Sequence, residues 1–142
     1  MPVVSITRLR VRSWIYLPSF FLAAVRIALQ AKQTGGSLEV KVLRDRRNVF
    51  WTGTSWDSEA SVRAFMHAKP HGPVMRKLLE WCDEAALVHW NQPSGELPAW
   101  EEAHRRILQE GRRSKVNHPS AAHTAHVLPP PTVRRTNELR FK

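Results

Sequence analysis

Apolar and polar positions along the first hundred residues switch between a period of two and a period near 3.6, and the switching predicts the elements. Val3 to Arg12 alternates as a strand, with Val4, Ile6, Arg8, Arg10 and Arg12 on one face and Val3, Ser5, Thr7, Leu9 and Val11 on the other. Leu17 to Lys32 places Leu17, Phe20, Phe21, Ala24 and Ala28 at helical spacing, with Arg26, Gln30 and Gln33 opposite. Pro18 suits an early helical position, where its missing N–H costs little, and Gly35-Gly36 stops the helix. Ser37 to Leu43 alternates again. The polar turn Arg44-Asp45-Arg46-Arg47-Asn48 leads into Val49 to Trp56, so these two strands form a hairpin.

At Trp56 a strand hands over abruptly to a helix. Asp57 or Ser58 can accept a hydrogen bond from the first turn, Glu59 suits the helix dipole, and Val62, Phe65 and Met66 share one face to about His67. Lys69-Pro70-His71-Gly72-Pro73 breaks that helix, a short helix resumes from Val74 to about Trp81, and Ala85 to Asn91 is a fourth strand. The order β-α-β-β-α-β is the ferredoxin-like split unit of an α+β protein. Two helices cover one face of such a sheet. Phe50, Trp51, Trp56, Leu87 and Trp90 are too many large apolar groups for a solvated second face, which predicts a homodimer built through the sheet or an apolar ligand there.

Beyond this core domain, residues 1–97, a further helix is expected from Pro98 to Gly111, with Trp100, Ala103, Ile107 and Leu108 as its stripe. Residues 98–120 thus hold a C-terminal helix and a polar loop ending in Asn117-His118-Pro119-Ser120, a segment suited to fold over a cavity. Residues 121–142 lack periodicity and read as a flexible basic tail.

Charge bears on one class of partner. The formal net charge is +10, with 13 basic and 8 acidic residues in 1–97 and 9 and 4 in 98–142. The excess is denser at the tail, which by itself gives only salt-sensitive, sequence-blind attraction to phosphates, so nucleic acid is not the expected partner. One cysteine, Cys82, excludes an internal disulfide and a multi-cysteine zinc site and points to a cytoplasmic setting. The apolar run Leu17 to Val25 ends at Arg26 and is too short for a membrane span, which takes roughly 20 residues. No Gly-rich phosphate loop and no serine nucleophile elbow is present.

Trp81-Cys-Asp-Glu-Ala-Ala-Leu-Val-His-Trp90, Trp100-Glu-Glu-Ala-His-Arg-Arg106 and Ser114-Lys-Val-Asn-His-Pro-Ser120, together with the element order, resemble a bacterial family described as similar to spheroidene monooxygenase. The resemblance covers roughly residues 3–120 and implies a dimeric α+β barrel. That superfamily includes cofactor-free monooxygenases, haem-degrading enzymes and simple binders. Its implication here is a monooxygenase-like enzyme acting on a hydrophobic small molecule, with haem as the candidate cofactor; the alternative is a non-catalytic dimeric module that binds a small molecule or haem.

In haem-degrading members of the superfamily a histidine beyond the helix after the strand-ending Trp ligates iron. The matching stretch here runs from Phe65 to Met75, with Met75 nearest the ligand position and His71 four residues earlier. His71, between Pro70 and Pro73, is the candidate iron ligand or acid/base, and His89 is the second candidate. Arg8 could meet a haem propionate, a carboxylate or an enolate; salt bridges at the strand end are the simpler account of Arg8 and Arg10. Trp51, Trp56 and Trp90 are candidate pocket residues, with Trp51 and Trp56 on opposite faces, as His89 and Trp90 are. Asp83 and Glu84 read as solvated, and Cys82 as a small buried residue. His104, His118, His123 and His126 do not form a metal set by spacing.

Overall fold

The computed structural model describes residues 1–67 and 71–141, with the side chains of 71–73, 135 and 141 outside the description. Its centre is the predicted unit: β1 (Val3–Val11), α1 (Leu17–Gln33), β2 (Ser37–Arg44), β3 (Val49–Trp56), α2 (Glu59–His67), α3 (His71–Trp81) and β4 (Cys82–Asn91). α4 (Trp100–Glu110), β5 (Arg112–Arg113), α5 (Ala121–Thr124) and β6 (Glu138–Phe141) follow. The six strands form one antiparallel sheet in the order β5-β4-β1-β3-β2-β6.

Local chemistry explains the joins. Ser58 caps α2 by accepting the N–H of Ser61 at 3.3 Å, and Asp57 accepts the Ser61 hydroxyl at 2.7 Å. Gly36, at φ +93°, packs so tightly on Ser61 and Asp57 that a β-carbon there would collide with both side chains. This close approach fixes the end of α1 against the start of α2. α3 begins at His71, earlier than predicted, because a proline in a first helical turn forfeits no intrahelical bond. β4 likewise begins at Cys82 rather than Ala85, since a bulge at Asp83 in β4 lets Cys82 pair with Val11.

One sheet face carries α1, α2 and α3. Val11, Phe20, Phe50 and Cys82 pack at one end, and Ala28, Ala31, Val40, Trp56 and Phe65 at the other. The opposite face, expected to await a partner, is covered by the chain itself. α4 lays Trp100, Ala103 and Ile107 onto Val4, Ile6, Leu43, Trp51 and Val88, and Leu128 joins the same cluster. An eleven-residue helix is marginal alone, so this packing is what holds α4.

The segment read as a flexible tail is also engaged. α5 sits against β4, Leu128 is buried, and β6 pairs with β2 from Val40↔Phe141 to Leu43↔Glu138. Periodicity missed it because single anchor residues, rather than a stripe, tie it down.

Candidate active site

Alternation along β1 turns Arg8 toward the α4 layer, opposite Trp51 on β3 and Ala86 on β4. A guanidinium buried there needs a carboxylate. Glu84 supplies it: Arg8 Nη1 donates to Glu84 Oε1 at 2.7 Å, and both side chains are almost fully enclosed. Arg10 Nη1 donates to Asp83 Oδ2 at 2.7 Å and lies 3.7 Å from Glu84 Oε2. The strand-end salt bridges expected of Arg8 and Arg10 are therefore present. Their partners are Asp83 and Glu84, which the sequence had suggested were solvated. An arginine on an apolar strand face was the signal that a buried acid must lie nearby.

The C-terminal segment closes this seam. Ser120 Oγ donates to Glu84 Oε2 at 3.0 Å, its N–H donates to the Asp83 carbonyl at 3.0 Å, and its hydroxyl caps α5 by accepting from the His123 N–H. His123 Nδ1 accepts the Ala85 N–H at 3.3 Å. Thus the Asn117–Ser120 segment runs from the end of α3, where the Asn117 N–H donates to the Leu79 carbonyl and His118 reaches Glu80 at 3.2 Å, to β4 at Ser120. Burial pushes the Asp83 carboxyl above the usual range despite Arg10. Burial first, and then Arg113, hold His123 below its ordinary value, so its neutral form is favoured.

Aromatic rings line the other side. The Arg8 guanidinium lies 5.9 Å from the Trp51 ring centre, and Trp51 meets Trp100 at 6.5 Å and His104 at 6.2 Å, both edge-on. Lys41 reaches in from β2, donating to the Pro98 carbonyl at 3.1 Å above the Trp100 ring, and burial lowers its pKa. Three polar atoms of this layer are buried without a hydrogen-bond partner: Arg8 Nε, Asp83 Oδ1 and Trp100 Nε1. These two donors and one acceptor are enclosed with their hydrogen-bonding capacity unused, as is Trp56 Nε1 on the α2 side. A fixed N–H donor can stabilise an oxyanion, and a carboxylate of raised pKa can take up a proton.

The other predicted residues lie elsewhere. Trp56 is fully buried on the α2 face, stacked on Phe65 with ring centres 4.9 Å apart. Trp90 packs beside the α4 cluster under the Arg106 guanidinium, while His89 on the other face is exposed. Met75 is exposed on α3. His71 opens α3 instead of lying in a loop, and its side chain is outside the described residues. Arg8 therefore lies on the opposite sheet face from Phe65. The residues expected to share one haem do not converge: the propionate partner is committed to Glu84, and Phe65 is packed against Trp56. Among the described residues no group of three His, Cys, Asp or Glu could hold a metal ion.

No curated protein matches this sequence. Solved structures do, by shape. SnoaB, a cofactor-independent oxygenase from Streptomyces nogalater, is 17% identical with a TM-score of 0.55, over 69% of this chain and 98% of that one. Rv0793 from Mycobacterium tuberculosis is 9% identical with a TM-score of 0.60, over 66% of this chain and 97% of its own. A Nitrosomonas europaea protein provisionally named an antibiotic biosynthesis monooxygenase is 14% identical with a TM-score of 0.58, over 65% and 90%. At these identities the likeness concerns the fold alone, a ferredoxin-like α+β fold that these proteins share. The profile of the domain of unknown function DUF3291 matches residues 25–125, and the chain belongs to that family.

Proposed function

We propose that this protein is a monooxygenase-like enzyme acting on a hydrophobic small molecule at the seam between the sheet and the α4 layer. The observation that carries the reading is the buried Arg8, whose Nε lacks a partner beside Trp51, in a fold shared with a cofactor-independent oxygenase. A hydroxyaromatic or enolisable substrate carries its charge on oxygen once deprotonated. Arg8 Nε and Trp100 Nε1 are N–H donors suited to that oxygen, Asp83 is the proton acceptor, and the Trp51 and Trp100 rings would hold the apolar body. Glu84 and Ser120 fix the guanidinium from the other side.

Haem is not part of this mechanism, because Arg8, Phe65 and Met75 do not fit one haem. The apolar substrate is read from the Trp51 and Trp100 rings of the α4 layer. A reducing, cytoplasmic setting belongs to the same reading, from the lone Cys82.

The test is oxygen uptake with a panel of polycyclic phenols, compared with an anaerobic control. Arg8→Lys keeps the charge but removes the Nε–H donor, and it should lower turnover by about 100-fold, in line with loss of one oxyanion donor. Uptake equal in the parent and Arg8→Lys would remove the assignment. Haem titration followed at the Soret band tests the cofactor separately.

A second reading, a non-catalytic binding module, is favoured by the commitment of Arg8 to Glu84 and of Arg10 to Asp83, which ties the charged groups to one another. It predicts ligand binding without product. A homodimer, tied to both readings, would form through a surface other than the sheet face that α4 covers, or by displacing α4 from it. Sedimentation should then give about twice 16.3 kDa.

A further inference from the structure

α1 leaves one face uncovered. Its inner side buries Phe20, Ala23, Ala28 and Ala31, but Trp14 is 75% exposed, Leu22 55% and Val25 49%, with Ile15 and Leu29 also outward. Positions 14, 22, 25 and 29 recur at helical spacing, so these side chains form one stripe rather than scattered apolar residues. The helical stretch Trp14–Gln33 has the length and apolar character of a membrane-crossing helix, more than the nine-residue run suggested. Its inner side is nevertheless committed to the sheet, so the helix can only lie against a surface.

The charge around the stripe identifies the surface. The first 38 residues contain no Asp or Glu, and α1 itself carries Arg26 and Lys32. The Arg44 guanidinium sits 5.3 Å from the ring of Phe21 on α1 and also lines a 260 Å³ cleft with Arg46, Thr132, Arg134 and Asn137. Asp45, the cleft's one acid, is already occupied: it accepts the N–H groups of Arg46 and Thr132 and the Trp51 indole. Among the described residues Arg44, Arg46 and Arg134 make no ion pair. An apolar stripe bordered by a cleft of three guanidiniums against one carboxylate matches a bilayer that offers acyl chains beside phosphate headgroups. A second copy, itself carrying +10, is the poorer match.

We infer that the outer face of α1, with the Arg44–Arg46–Arg134 cleft beside it, docks this protein on an anionic lipid bilayer. The inference is independent of the proposed activity. The full chain should co-sediment with vesicles of equal parts phosphatidylcholine and phosphatidylglycerol, and at least tenfold less with phosphatidylcholine alone. Leu22→Glu/Val25→Glu, exposed and expected to fold, should abolish the association. Arg44→Gln/Arg134→Gln should weaken it several-fold and flatten its salt dependence. Circular dichroism checks both variants. Three results would overturn the inference. One is no vesicle association by the parent. Another is binding of inorganic phosphate at the cleft without vesicle binding. The third is a dimer that Leu22→Glu/Val25→Glu converts to monomer with vesicle binding unchanged.

Discussion

Arg8 and Glu84, 76 residues apart, meet at 2.7 Å with both side chains enclosed, and this pair ties β1 to β4, with Ser120 of the C-terminal segment bonded to Glu84 in turn. Its electrostatics set the first prediction. Arg8→Ala leaves the buried Glu84 with only the 3.7 Å approach of Arg10 and the Ser120 hydroxyl, and should cost about 3 kcal/mol in urea unfolding. Adding Glu84→Gln should recover much of that loss. If the double variant is no more stable than the single, the pair is not coupled.

Removing the end of the chain should destabilise it. Truncation after Ser120 deletes the His123 acceptor for Ala85, buried Leu128, the Thr132 link to Asp45 and β6. The thermal midpoint should fall by several degrees, and Leu128→Ala alone should cost about 2–5 kcal/mol. An unchanged midpoint on truncation would return this segment to the status of a loose tail.

His123 should make stability fall on acidification. Its folded value lies below the ordinary 6.5, so between those two values the unfolded chain binds more protons than the native one. The contribution is fully present above 6.5 and is lost as pH drops through the folded value. Comparing urea midpoints between about pH 7.5 and about pH 5, His123→Gln should show a shallower decline than the parent. Parallel curves would show that the imidazole does not titrate against its surroundings.

Cys82 should be inert in the native state. It is completely buried, and its thiol is pushed up to about 12 by burial and then by Asp83, so little thiolate exists at neutral pH. A disulfide reagent should react only as fast as the chain opens, and reaction should accelerate in denaturant. Rapid labelling of folded protein would place Cys82 at a surface.

The sequence by itself determined the local elements, because alternation and helical spacing are properties of neighbours along the chain. β1, α1, the β2–β3 hairpin and the Trp56–Ser58 handover could all be read that way. So could the opposite directions of Trp51 and Trp56. The α4 stripe of Trp100, Ala103 and Ile107 announced a helix with a face to bury, but periodicity does not say against what. Only the tertiary structure decided that this face closes the sheet within the same chain. The candidate site was legible in part: Arg8 and Arg10 stood out as charges on an apolar strand. Asp83, Glu84, Ser120 and His123 did not, because each works across a gap of dozens of residues that no local pattern records. Phe65 and Arg8 looked compatible as ligand contacts in sequence, yet the sheet lies between them. Burial and pairing across layers are set by which faces meet, and that is decided when the whole chain folds.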